Sequence, residues 1–181
     1  MSKTSVRERQ QPLRAEYETT PKFAMVTDRA RTGGVALDDP LHSEVYPMPE
    51  TGVKVPIGVH RGVGGLHDAP TPGDLLCAAL AACQDSTFRM VANIMGVELE
   101  ELTVDVTADV DLRGSLLMDS QVPIGFQSMR SKVHYRAKPG TSPELLASLE
   151  KGAQRCCIVR QTLKQGVPIQ TTFDPAAGTG E

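Results

Sequence analysis

Tryptophan is absent from the 181-residue chain, and three tyrosines and four phenylalanines are its only other large aromatic rings. Few faces are therefore available for stacking nucleic-acid bases. Positive charge is not in excess either: 19 Lys and Arg stand against 22 Asp and Glu, a net charge of −3. A nucleic-acid partner is not expected from that balance. No uninterrupted apolar run approaches the length of about 18 residues that a membrane span needs, so none is expected. Residues 1–14 carry Lys3, Arg7, Arg9 and Arg14 against Glu8 and lack an apolar stretch. They do not read as a secretory signal, and the cytoplasm is the expected compartment. Four cysteines are too few for a disulfide scaffold in a chain of this length. There is no CxxC, and His42, His60, His67 and His134 are scattered, so neither a metal nor another cofactor is expected.

What is present fits one globular domain. Apolar residues make up 40% of the chain, charged residues 23%, and the mean hydropathy is −0.21. The reading is a single domain over 15–173, between a flexible polar arm at 1–14 and a frayed tail at 174–181. Residues 15–60 are rich in Thr and Val and broken by Gly and Pro, which predicts two or three short strands. The clearest is the alternation Val53, Val55, Ile57, Val59. Residues 102–112 alternate throughout, with Leu102, Val104, Val106 and Ala108 on one face and Thr103, Asp105, Thr107 and Asp109 on the other. Residues 129–138 do the same, with a basic outer row of Arg130, Lys132, His134, Arg136 and Lys138. A nucleic-acid track is one reading of that row. Charge pairing with the Asp row of an antiparallel neighbour is the simpler one.

Two helices complete the pattern. Thr71-Pro72-Gly73-Asp74 has the layout of a capped start, with Thr71 as cap, Pro72 in the first turn and Asp74 reaching back. From Leu75 to Cys83 the helix is apolar all round, and such a helix is buried on every side. One sheet cannot cover it in a chain of this size, so a homodimer partner is expected. Ser142-Pro143 opens a second helix to about Gln154. A short helical stretch over Cys157–Lys164 follows, stopped by Gly166. Residues 167–173 read as a last edge strand, because Pro168 donates no hydrogen bond. The order β-β-β-α-β-β-α-β places the chain in the α+β class with antiparallel sheet.

The segment APTPGDLLCAALAACQDSTFRMVANIMGVEL, followed by RCCIVRQTL about 70 residues later, resembles the OsmC/Ohr family of osmotically inducible and organic-hydroperoxide-resistance proteins. The family's first cysteine falls on Cys83 and its second on Cys157. The resemblance implies antiparallel sheets wrapped around two central helices in an intertwined homodimer, with active sites at the subunit interface. It also implies a chemistry. The first cysteine attacks an organic hydroperoxide, the second resolves the sulfenic acid as a disulfide, and a dithiol of the lipoyl type restores both. An arginine from a loop between the first strands, paired with a glutamate, activates the first thiol. Arg29 and Arg31 both compete for that part. Two positions depart from the pattern: the glutamate is Gly73, and the proline after the second cysteine is Ile158. Asp74 is a candidate replacement for the glutamate.

The residues themselves set conditions on this chemistry. The thiolate is the nucleophile, and apolar burial among Leu80, Ala81 and Ala82 raises a thiol's pKa. Without help Cys83 is inert core, so a cation is expected against it. Cys156 remains an alternative to Cys157 as resolving thiol. Cys77, about 120° around the helix from Cys83, reads as packing. Arg160 reads as solvated helix surface, and the acidic Glu98, Glu100 and Glu101 read as a solvated loop. His60 and His67 read as loop residues, or as the mouth of a pocket if the family placement holds. Two functions follow: a weak thiol-dependent peroxidase, weak because of Gly73, or a non-enzymatic dimer that binds a small apolar ligand.

Overall fold

The computed structural model describes residues 5–175. The chain-order elements are helix α1 (Val6–Thr19), strands β1 (Arg31–Thr32), β2 (His42–Tyr46) and β3 (Val55–Gly58), helix α2 (Pro72–Met95), strand β4 (Leu99–Asp109), the short helix α3 (Leu112–Ser115), strand β5 (Ser128–Ala137), and helices α4 (Pro143–Cys156) and α5 (Ile158–Gln165). The strands form two antiparallel sheets, β1-β2-β3 and β4-β5. The α+β class and antiparallel pairing expected from the sequence are both present.

α2 begins as its sequence dictates. The Thr71 hydroxyl accepts the Asp74 N–H at 3.3 Å, and the Asp74 carboxylate accepts the Thr71 N–H at 2.8 Å, a reciprocal capping box. Its end is set by Gly96 at φ +74°, a conformation open to glycine because it has no Cβ. α2 then lies across β4 and beside α4. Phe88, Ala92, Val97, Leu149 and Ala153 form the buried core there, with Leu102, Val133 and Tyr135 packed around them. Leu149 is 0% exposed.

The β4-β5 pair has one wet face. Leu102, Val104, Val106 and Ala108 are half-buried, while Thr103, Asp105, Thr107 and Asp109 are exposed. Lys132 stands opposite Asp105 and Arg130 opposite Thr107. The ion pairs run diagonally: Arg130 reaches Asp109, and His134 Nε2 lies 3.3 Å from Asp105. At the other end Arg136 meets Glu100 and Glu101, and Lys138 meets Glu98. Four of the five basic residues are thus paired with acidic ones, and Glu100 and Glu101, expected in a loop, stand in β4.

Two expectations need correction. Residues 1–14, read as a loose arm, lie largely in α1 among the described residues. Ser5 caps that helix, the Val6 N–H bonds the Asn93 side-chain oxygen at 2.9 Å, and the Arg7 guanidinium bonds the Ile94 carbonyl at 3.1 Å. The signal missed is a serine cap followed by residues that favour helix. Residues 167–173 form no strand, because no other strand of the chain lies alongside to bond them; Ile169 and Phe173 stand exposed. The apolar first half of α2 is not covered all round by this chain. Leu80 is buried, but Ala78, Ala79 and Ala82 are exposed. Of the expected tail, residues 176–181 lie outside the described residues.

The core makes a direct test. Leu149→Ala is expected to lower unfolding stability by about 2–5 kcal/mol, the range for truncating a fully buried leucine. Arg130→Met, on the wet face, leaves the urea midpoint near that of the wild type.

Candidate thiol site

Cys83 sits at the start of the fourth turn of α2, half-buried. Cys157 is the residue between α4 and α5: with φ −73° and ψ 106° it is non-helical, ending one helix and starting the next. Its side chain is 0% exposed. The two sulfurs, 74 residues apart in sequence, lie 3.2 Å apart, the Cys157 thiol donating to Cys83. Cys156 is exposed at the end of α4, so of the adjacent pair it is Cys157 that meets Cys83.

The break at Cys157 has an electrostatic result. The first N–H groups of a helix have no partners within it, and they favour negative charge nearby. At α5 they are turned toward the sulfurs. Burial is the largest single influence on Cys83 and pushes its thiol up. Against it act the Val159 N–H, the Cys157 thiol, the Thr87 hydroxyl and the Ile158 N–H. Together they outweigh burial and hold Cys83 below the ordinary thiol value. Cys157 moves the other way. Burial raises it most, and the adjacent Cys83 adds to this; the Arg160 N–H and the Arg160 charge only partly offset the rise. One sulfur is thus prepared to ionise and the other to keep its proton.

The expected cations are elsewhere in this chain. Arg29 lies 3.8 Å from Glu50, both exposed, and Arg31 is exposed in β1 opposite Tyr46. Neither is among the groups that act on Cys83. Asp74 does not hold an arginine. Its carboxylate is occupied by the Thr71 N–H and hydroxyl, and lies 3.4 Å from His67 Nε2. Those donors, the Thr71 N–H first, hold it below the usual carboxylate range.

At Gly73 the absence of a side chain has a physical reason. A Cβ there would stand 3.0 Å from Phe126 Cζ. Gly73, Phe126, Cys77, His60 and His67 all line one cavity of about 640 Å³. The two imidazole rings stack with centroids 4.7 Å apart. Cys77 is half-buried, and burial pushes its thiol up, as does the Asp74 charge. Both histidines stand in the connection between β3 and α2, as loop residues, and line this cavity, which neither Cys83 nor Cys157 lines. Cys77 faces a cavity as well as packing.

Sequence reasoning missed the donors that act on Cys83. Thr87 is four residues on, one helical turn from Cys83 on the same face, so its part was open to view. The Ile158 N–H was visible only as the missing proline, which has no N–H to offer. Among the described residues no group of His, Cys, Asp and Glu side chains is placed to hold a metal ion. No helix there is long and apolar enough to cross a membrane.

Comparison with known proteins bears on the fold and the family. No curated protein sequence matches the chain. Among solved structures, the chain is similar to an OsmC-like protein from Mycoplasma pneumoniae, at 14% identity and a TM-score of 0.61, covering 78% of this chain and 89% of that one. It is also similar to an organic hydroperoxide resistance protein OsmC from Legionella pneumophila, described as a predicted redox protein. There the identity is 20%, the TM-score 0.56 and the coverage 77% and 90%. A third is an organic hydroperoxide resistance protein from Elizabethkingia anophelis, at 20% identity and TM-score 0.57, with coverage of 78% and 91%. At these identities the likeness is one of fold. The family model described as OsmC-like protein matches residues 65–172, more than half of the chain and the stretch that holds both sulfurs. The chain belongs to the OsmC-like family.

Proposed function

We propose that the protein is a thiol-dependent peroxidase that reduces organic hydroperoxides. The observation that carries this reading is the 3.2 Å contact between a half-buried Cys83 and a fully buried Cys157 donor. The Cys83 thiolate attacks the terminal oxygen of ROOH. The O–O bond breaks, RO⁻ leaves and takes a proton to become the alcohol, and Cys83 becomes a sulfenic acid. The Cys157 thiol then attacks that sulfur, water leaves, and a Cys83–Cys157 disulfide forms. An external dithiol, for which a lipoyl-type compound is the candidate, reduces the disulfide and is itself oxidised. A cytoplasmic setting belongs to this reading.

A homodimer belongs to it too. The exposed Ala78, Ala79 and Ala82 on the apolar half of α2 are the support within this chain, and a partner is then the source from which Arg29 or Arg31 approaches a thiol pair. In this chain alone, the donors at the start of α5 and Thr87 perform the activation otherwise assigned to a cation. Helix N-termini lower thiol pKa values in this way.

A second reading rests on the Gly73 cavity. Where the family pattern has a carboxylate, Phe126 stands against bare backbone, and the surroundings include Val59, Val106 and Leu112. Such a site suits a small apolar ligand, and the protein would then be a non-enzymatic binding dimer.

Three outcomes are expected. One equivalent of cumene hydroperoxide should produce an intrachain Cys83–Cys157 disulfide on peptide mapping, and Cys157→Ser should stop at the sulfenic acid or over-oxidise. Both thiols remaining free after peroxide would exclude the peroxidase and leave the ligand-binding reading. Thr87→Val removes a donor from the thiolate, so the pH profile of Cys83 alkylation should move to higher pH. With one hydrogen bond worth about 1 kcal/mol, alkylation at neutral pH should slow about fivefold. An unmoved profile would remove Thr87 from the activation. Sedimentation at micromolar concentration should show a dimer; a folded monomer there would contradict that part.

A further inference from the structure

We infer that the connection between β3 and α2 is a pH-operated strap over the Gly73 cavity, closed while His42 carries a proton on both ring nitrogens and released when one of them is lost. Neither Cys83 nor Cys157 takes part, so the inference does not depend on the peroxidase reading.

His42 opens β2, opposite Gly58 of β3. Both of its ring nitrogens meet carboxylates. Nδ1 lies 2.8 Å from Asp39 Oδ2, and Nε2 lies 3.2 Å from each oxygen of Asp68 in the β3–α2 connection. A neutral imidazole has one N–H to donate and one lone pair. Two carboxylates at once therefore suit the imidazolium alone. When a proton leaves, Asp39 keeps the remaining N–H. Its contact is the shorter, and its carboxylate is fixed in a local turn, where it accepts the Leu41 N–H at 2.9 Å. Nε2 then turns a lone pair toward Asp68, and that link is lost.

The other charged groups on the surrounding elements are engaged elsewhere or exposed. Glu44 of β2 holds Lys54, and Asp74 of α2 holds His67 and the Thr71 cap. Arg61 donates to the Leu66 carbonyl within the connection, and Asp38 stands exposed. Asp39 first, then Asp68, raise the pKa of His42, and the His42 ring in turn holds both carboxylates below their usual range. The link to Asp68 is thus complete below the ordinary histidine value of 6.5 and is lost as pH rises through the raised one, with both carboxylates ionised in that range.

Asp68 governs its neighbour. His67 has φ +53°, a left-handed conformation that a residue with a Cβ keeps only when its surroundings hold it. Its ring lines the Gly73 cavity, and its Nε2 lies 3.4 Å from Asp74. Two adjacent residues thus tie the connection to two elements, Asp68 to β2 and His67 to α2. Backbone bonds from the Gly58 N–H to the Pro70 carbonyl and from the His67 N–H to the Val59 carbonyl, both 3.0 Å, hold the same stretch independently. Release of Asp68 therefore loosens the strap without unfolding it. His67 then relaxes, its ring leaves the cavity wall, and Cys77, which lines the same cavity, becomes accessible.

The Asp68 side chain is 53% exposed, so substitutions there leave the core intact. The amide of Asp68→Asn can accept from the charged ring or donate to the neutral one, and keeps the strap closed at every pH. Asp68→Ala does neither and leaves it open. The test is alkylation of Cys77 by N-ethylmaleimide in the full-length protein, followed by peptide mapping at about pH 6 and about pH 9. Rates are compared between proteins at one pH, so the titration of the thiol itself cancels. Asp68→Ala should react about threefold or more faster than Asp68→Asn at both values. The wild type should match Asp68→Asn at the lower pH and Asp68→Ala at the higher. By NMR the His42 ring should titrate above 6.5 in the wild type and at lower pH in Asp68→Ala. Equal Cys77 rates in the two variants would overturn the inference. So would a wild type whose rate relative to them is the same at both pH values, or a His42 midpoint unchanged in Asp68→Ala.

Discussion

The break between α4 and α5 at Cys157 is the constraint on which the thiol site depends. A continuous helix through this residue would have used its N–H groups internally. Interrupting it frees the first N–H groups of α5 and places a buried thiol at the same point. The docking of that junction against α2 then sets three things together: the distance between the sulfurs, the direction of the Cys157 donor, and the opposed titration of the two thiols. The Leu149 core holds α4 against α2 and so supports the junction from behind.

How legible this was in the sequence varies by element. α2 could be read to within a residue at each end, because a capping box and a terminal glycine are local chemistry. β4 and β5 were equally plain from their alternation. Cys83 and Cys157 came from the motif resemblance, and their contact joins positions 74 residues apart, which no local pattern reports. The expected cation does not reach Cys83 within this chain. A search for charged side chains does not register backbone amides, and those are what reach Cys83 here. Residues 167–173 failed for a different reason: a strand needs a neighbour, and alternation in sequence does not supply one. α1 was passed over because a polar helix has no apolar stripe to betray it.

Gly73 and Ile158, the two departures from the family pattern, have a common physical sense. With Phe126 packed against Gly73, a carboxylate is replaced by an apolar wall. With isoleucine after Cys157 in place of proline, an N–H is available that a proline cannot provide, and it acts on Cys83. Among the groups of this chain, it is amide dipoles that act on Cys83, and no guanidinium-carboxylate pair does.

That arrangement decides what the Cys83 thiol is sensitive to. A guanidinium on a loop can swing away while the protein stays folded, and its long-range field is weakened by salt. Amides at the start of a docked helix do neither. They are lost only when α5 lifts from α2, a local opening that exposes little core. The lowered titration of Cys83 is therefore tied, within this chain, to the seating of an eight-residue helix. A disulfide to Cys157 would fasten that helix in place, so the reduced protein is the form whose α5 amide hydrogens should exchange faster with solvent.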